Sequence, residues 1–338
     1  MSYSSIDLFS CFNLWRAEDL ASEKVIKEIK KIRINPDFFY LELGIADTLY
    51  ILQEYADQTG WNSFILRGGT CINQVHLQRK IQRFSYDIDF STPYQLEQIE
   101  TYFTKINHKL SSEGKTVKIE DKIIGKILQS SQFAKWEMAP QMANITYKRY
   151  TPRRIGLEKV DVIDHNIQIN NVSKVKPIEI GKEKFNSFIF DHIETEREVF
   201  VNSASLSDCV ADKIKCLAPF KLDDKYVLGR PPFQKTHIAR DVFDLGNVVI
   251  SQPAIKEEIN WKLVLEKLNL YAKLESQGLA KDHIDILKKA TETFELIKED
   301  EKCIYTVNGL ILSKEEKFNK TKWSQFCLQG KNFLTKLI

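Results

Sequence analysis

Apolar positions recur at helical spacing over residues 20–34 (LASEKVIKEIKKIRI), with Lys and Glu between them. They recur more densely over 38–58 (FFYLELGIADTLYILQEYADQ). Both stretches predict helices, the second with a broad buried face. The period then shortens. Residues 62–66 (NSFIL) read as a short buried strand stopped by Gly68-Gly69, and 70–80 as a helix opening on Thr70, a good N-cap residue type. FSYDIDF (84–90) alternates polar and apolar, as a half-buried strand does, and 94–110 returns to helical spacing. From 115 to 200 the segments VKIEDKII, ANITYKRY, RIGLEKVDVIDH and FNSFIFDH favour extended chain. After about 203, SLSDCVADKIKCLA, HIARDVFDLGNVVI, INWKLVLEKLNLYAKL, HIDILKKATETFELI and WSQFCLQGKNFLTKL read as successive helices. Residues 219–236 (PFKLDDKYVLGRPPFQKT), with Pro, Gly and mixed charge, read as a long loop. The expected fold is α/β (α+β), a mixed sheet flanked by helices over 1–200 followed by a helical domain over 201–338.

Length agrees with that division, since 338 residues at about 150 per domain give about two domains. Net charge is only +3, so a nucleic-acid partner has to be sought in local patches. The six cysteines, at 11, 71, 209, 216, 303 and 327, show no C-x-x-C spacing, and the six histidines form no H-x-x-x-H pair. A zinc site is therefore not expected, and the scattered thiols read as reduced. No signal peptide and no apolar run long enough for a membrane span is visible, which predicts a cytoplasmic protein without membrane contact.

The chemistry concentrates between Phe64 and Phe90. A strand runs into Gly68-Gly69, whose lack of Cβ lets backbone N–H groups approach a phosphate closely. The helix start that follows adds N–H donors and a favourable dipole, and Thr70 adds a hydroxyl. Asp87 and Asp89 stand two apart on the next strand, so they share a face while Ile88 points to the core. Two hard oxygen ligands on a strand suit Mg²⁺ or Mn²⁺ bridging substrate phosphates, the apparatus of in-line nucleotidyl transfer.

These residues resemble the first motif of the DNA polymerase β-like nucleotidyltransferase superfamily. They look most like its AbiEii/AbiGii toxin branch, whose pattern is Leu-Lys-Gly-Gly-Thr, a helix, then Arg-x-Ser-x-Asp-Ile-Asp-Leu. The matching segments are Leu66-Arg67-Gly68-Gly69-Thr70 and Arg83-Phe84-Ser85-Tyr86-Asp87-Ile88-Asp89-Phe90. Arg67 stands where the branch has Lys. Asp208-Cys209-Val210-Ala211-Asp212-Lys213 resembles the branch's Asp/Glu-x-x-Ala-x-Lys helix, and Arg240-Asp241-Val242-Phe243-Asp244-Leu245 its Arg-Asp-x-x-Asp-Leu motif. The resemblance implies a nucleotidyltransferase sheet and the transfer of a nucleoside monophosphate from an NTP to an acceptor hydroxyl. It implies that Asp87 and Asp89 hold the metal and that Gly68, Gly69, Thr70, Arg67, Ser85, Lys213, Arg240 and Asp244 bind nucleotide. Asp241 is the candidate base or nucleotide-orienting group. Asp161, on a strand flanked by valines, is the candidate third metal carboxylate, with Glu158 and Asp164 as competitors. The resemblance further implies a bacterial toxin with a cognate antitoxin, and an acceptor such as the 3′ end of tRNA.

Residues 147–154 (YKRYTPRR) put four cations and two aromatics into eight positions, either a contact for nucleic acid or triphosphate or a solvated loop. Arg230, Lys235 and Lys225 would extend that surface. Two other classes compete. A metal-dependent nuclease would use Ile178-Glu179-Ile180-Gly181-Lys182, which leaves the Gly-Gly-Thr turn without a role. A non-catalytic nucleotide-binding protein would use the same scaffold without turnover.

Overall fold

The computed structural model describes residues 27, 31, 36–60, 64–77, 83–85, 87–116, 132–139, 142–152, 160–170, 175–192, 198–251, 253–311 and 317–338. Most of the helix expected over 20–34, and the extended segment expected over 117–124, lie outside these residues. The chain divides into two compact units. One comprises Met1–Leu66, Ser85–Val172 and Lys182–Asn202; the other comprises Arg67–Phe84, Ser173–Gly181 and Ser203–Ile338. Both 67–84 and 173–181 group with the C-terminal residues from Ser203 onward.

The first unit is built on α1 (Pro36–Thr59) and α3 (Leu96–Thr116), with a sheet of order β3-β4-β5-β2-β1-β7-β6. Its strands are β1 (Ile65–Arg67), β2 (Asp87–Ser91), β3 (Gln132–Ala139), β4 (Met142–Pro152), β5 (Val160–Asn170), β6 (Ile180–Lys184) and β7 (Phe200–Ala204). β2 runs parallel to β5, while β3/β4 and β4/β5 are antiparallel, so the sheet is mixed. From α1, Phe39, Leu43, Ala46 and Leu49 are buried; from α3, Ile99, Tyr102, Phe103 and Ile106; from the strands, Ile88, Phe90, Ile145, Ile167 and Ile169. The Phe64 ring sits 4.7 Å from Tyr102 and 5.8 Å from Phe90, knitting helix to sheet through tilted and edge-to-face contacts.

Two expectations fail locally here. Residues 185–192, expected as strand, form a 3₁₀ turn over Phe188–Asp191, because the Ser187 hydroxyl accepts from the Ile189 N–H. The helix expected to open on Thr70 instead begins at Gly68. Its N-cap is Arg67, in extended conformation and without a capping side chain, and Thr70 is buried one turn in.

The second unit contains the short helix α2 (Gly68–Cys71), which continues as a π-helical turn (Ile72–His76). It also contains α4 (Leu206–Cys216), α5 (Lys235–Gly246), α6 (Pro253–Glu257), α7 (Trp261–Leu274), α8 (His283–Ile297), α9 (Glu301–Leu310) and α10 (Lys320–Thr335). The expected helices all form. α9 was not anticipated, although Asp300 caps it and Cys303, Ile304, Val307 and Leu310 make a buried stripe. The expected loop over 219–236 contains a hairpin, β8 (Phe220–Leu222) with β9 (Lys225–Leu228). Asp223 and Asp224 both adopt positive φ, 44° and 66°, as a two-residue hairpin turn requires. Among the described residues no helix is long and apolar enough to cross a membrane.

Candidate functional site

In the first unit, β2 carries Asp87 and Asp89 on one face, both half-buried, while Ile88 between them is fully buried. The alternation is the strand period itself. Ser85 is buried and donates its hydroxyl to the Asp87 carbonyl at 3.3 Å, shaping the entry to the strand. The parallel register sets Asn166 alongside Asp87 and Gln168 alongside Asp89. Asp161 stands five residues earlier on β5, paired with Thr151. At about 3.3 Å per residue that is roughly 16 Å along the strand, and at the opposite parity. The register therefore does not bring position 161 beside the pair. Position 164 has the right parity, two residues before Asn166; Glu158 lies outside the described residues.

In the second unit the motif residues form two buried chains of alternating charge. Arg83 donates from Nε and Nη2 to Asp244 at 2.6 and 2.7 Å. Lys213 Nζ lies 2.8 Å from Asp244 and 2.6 Å from Asp241, and Arg230 also bonds Asp241. In the second chain Arg67 reaches Asp212 at 2.6 Å, and Lys267 bridges Asp212 at 2.9 Å and Asp208 at 2.6 Å. Tyr271 donates its hydroxyl to Asp212, and Asp208 accepts the N–H groups of Ile178 and Glu179. Asp241 and Asp244 do share a helix face, with the Lys213 ammonium between them. Arg240 is not the buried partner of this helix; Arg83 and Arg230 fill that place. Arg230 and Lys235, expected as a basic surface, are engaged with Asp241 and Asp300.

Burial works against the charges of Asp212, Asp241, Asp244 and Lys213, and their partners overcome it. Burial resists the ionised forms of Asp212, Asp241 and Asp244, yet Arg67 for the first, Lys213 for the second and Arg83 for the third hold them below the ordinary carboxylate value. Burial likewise opposes the Lys213 ammonium, but Asp241 and Asp244 keep it above the ordinary lysine value. Asp241 so held is a poor proton acceptor; as placed, it fixes Lys213. The least buried cations among these bonds are Arg230 and Arg67, at 32% and 13% side-chain exposure.

The two glycines have different reasons to be there. Gly68 has φ +72°, a region that penalises side chains. A Cβ on Gly69 would lie 2.3 Å from Arg83 Nη2 and 3.4 Å from Asp244, so this glycine admits the guanidinium to its carboxylate.

A sequence-family model described as "Nucleotidyl transferase AbiEii toxin, Type IV TA system" matches residues 50–302, three-quarters of the chain. The chain belongs to the AbiEii family. The match takes in the glycine turn, β2, α4 and α5. A comparison with curated proteins finds no match. Among solved structures, MenT4, a nucleotidyltransferase toxin from Mycobacterium tuberculosis, aligns at 13% identity over 96% of this chain and 91% of its own, with TM-score 0.46. The crystal structure of a presumptive nucleotidyltransferase from H. pylori aligns at 13% identity over 94% and 99%, with TM-score 0.38.

Several groups in this AbiEii-family chain escape a reading of the sequence. Lys267 falls on the buried face of α7 with Leu263, Val264, Leu268 and Tyr271, and a lysine on that stripe was the available signal. Cys71, His76 and Cys209 come together although no spacing announces them. Residues 147–152 of the basic stretch belong to β4. Arg153 and Arg154 lie outside the described residues. Of the nuclease alternative, Lys182 stands on the edge strand β6, which is exposed along nearly its whole length, and Glu179 just precedes it.

Proposed function

We propose that the chain transfers a nucleoside monophosphate from an NTP to an acceptor hydroxyl, in the manner of a growth-inhibiting toxin with a cognate antitoxin. The observation that carries this reading is Asp87-Ile88-Asp89 on β2, with its buried middle residue and two half-buried carboxylates, inside the region matched by the AbiEii family. The donor set fits a hard divalent cation, Mg²⁺ or Mn²⁺, which prefers oxygen ligands and retains several waters. Asp87 and Asp89 would hold it, and when bound it supplies charge neutralisation at the phosphates.

The remaining roles belong to the chain's own side chains. The first turn of α2 offers backbone N–H groups that Arg67 does not cap, which suits a phosphate. Lys213 stays charged because Asp241 and Asp244 fix it. In the second unit Arg67 and Arg230, the least buried cations of the network, would contact phosphate oxygens through their exposed edges. Catalysis then rests on positioning and charge, as phosphoryl chemistry permits. Asp161 is left out because of its register. An RNA acceptor such as the 3′ end of tRNA is the substrate class to test first.

Incubation with each labelled NTP, Mg²⁺ and total tRNA tests the reading. Label transfer is expected. The Asp87→Asn/Asp89→Asn protein should lose at least about 100-fold in rate while unfolding at the same urea concentration, since both carboxylates are half-buried. Transfer that survives the double substitution overturns the assignment. Shortened RNA would favour a nuclease, and NTP retention without turnover a binding protein.

A further inference from the structure

Cys71, His76 and Cys209 each present a ligand atom, and these atoms all lie within 4.8 Å of one another. Cys71 Sγ is 3.5 Å from His76 Nε2. A fourth donor shares the place. The Ala204 carbonyl oxygen is 3.0 Å from His76 Nε2, 3.7 Å from Cys71 Sγ and 4.0 Å from Cys209 Sγ. We propose that these four groups form a tetrahedral Zn²⁺ site.

The Cys71–His76 and Cys71–carbonyl distances are those of a tetrahedron. With Zn–S near 2.3 Å and Zn–N near 2.0–2.1 Å, sulfur and nitrogen on one centre stand about 3.5–3.6 Å apart, and sulfur and oxygen about 3.6 Å. On binding, the Cys209–carbonyl edge contracts and the His76–carbonyl edge expands by a few tenths of an ångström, and Cys209 closes on the other two donors, which lie within 4.8 Å of it. Two thiolates also balance the charge of Zn²⁺, so the filled site is neutral, as buried surroundings demand. The donor set favours zinc over the hard cations, which select oxygen alone. Without a cation, two thiols and an imidazole converge on one carbonyl oxygen that has two lone pairs.

Local structure delivers the ligands. Residues five apart diverge on an α-helix. The π turn that follows Cys71 closes with Leu77 N–H bonded to the Ile72 carbonyl at 2.9 Å, which winds His76 back over Cys71. Cys71 and Cys209 are buried, and His76 is half-buried, leaving a side for the ion to enter. The consequence is positional. Cys71 adjoins Thr70 at the glycine turn, and Cys209 sits on α4 between Asp208 and Lys213, so zinc would staple these two motif segments within the second unit.

The test reads metal, independent of transfer activity. Full-length protein is stripped with chelator, given zinc alone, and passed over a desalting column. Elemental analysis should find one zinc per chain, retained in millimolar Mg²⁺, and cobalt in its place should give thiolate charge-transfer and tetrahedral d–d bands. His76→Gln, at the half-buried position, and Cys209→Ser should each weaken zinc binding by more than about 100-fold, since partners behind the ligands are already worth about 10- to 100-fold. Unfolding curves identify a variant that fails to fold, and His76→Gln then decides. No stoichiometric zinc, octahedral cobalt spectra, unchanged affinity in His76→Gln, or a Cys71–Cys209 disulfide in the native protein would each overturn the site.

Discussion

Removing the Asp244 carboxylate is the sharpest trial of the charge network. The group is fully buried and accepts four hydrogen bonds: two from Arg83, at 2.6 and 2.7 Å, one from Lys213 at 2.8 Å and one from Asn73 at 3.0 Å. Asp244→Ala strips that acceptor from two buried cations. Breaking a buried pair by removing one partner costs about 3–5 kcal/mol, because the remaining charge is stranded in low dielectric. Domains are typically stable by about 5–15 kcal/mol, so this is a large share. Urea unfolding followed by tryptophan fluorescence suits the measurement, since Trp323 is fully buried in the same unit. The midpoint should fall with little change in slope. Asp244→Asn should lie between, because its amide keeps one oxygen for the donors. Combining Asp244→Ala with Arg83→Met should cost less than the two single losses added, since the stranded guanidinium is then gone. A loss under about 1 kcal/mol for Asp244→Ala, or strict additivity in the cycle, would refute the account.

Acid should act through the same groups. Asp212, Asp241 and Asp244 have folded pKa values below the unfolded value of about 3.9, so their stabilisation is complete above that pH and drains away as pH falls through the folded values. Stability measured by urea midpoint should be level from pH 7 to about 5 and drop steeply below about 4; a level profile down to pH 2 would contradict this. Gly229→Ala should cost about 2–5 kcal/mol, because its φ is +70° and a Cβ would sit 2.2 Å from the Ala218 carbonyl oxygen; near-wild-type stability would exclude the clash. Asp224→Gly should raise stability by up to about 1 kcal/mol by relieving φ 66° in the hairpin turn, and a clear loss in thermal unfolding would show that its side chain matters more than its backbone.

Patterning revealed those elements whose signal is local. The apolar face of α1, the alternation of β2 and the stripe of α8 were legible because period and burial coincide there. The 3₁₀ turn at 188–191 was not, since Phe188, Ile189 and Phe190 carry strand propensity and one serine hydroxyl tips the balance. The β8–β9 hairpin hid behind Asp223-Asp224, an uncommon choice where Asn-Gly is the familiar turn. At the site, residue types were readable and pairings were not. Arg83 and Asp244 stand 161 positions apart, and only the fold makes them one bidentate pair. Lys267 and the Cys71–His76–Cys209 group are of the same kind, meeting through tertiary packing across long stretches of chain.

That separation has a consequence for biosynthesis. A ribosome releases Arg83 long before it makes Asp244, and Arg67 long before Asp212 and Lys267. Until then Arg67 lacks Asp212 and Arg83 lacks Asp244, whatever else has already folded. A nascent or truncated polypeptide ending before α5 therefore holds Arg67 and Asp212 but lacks Asp241, Asp244 and Lys267, so neither chain of charges is complete until translation has passed most of the message.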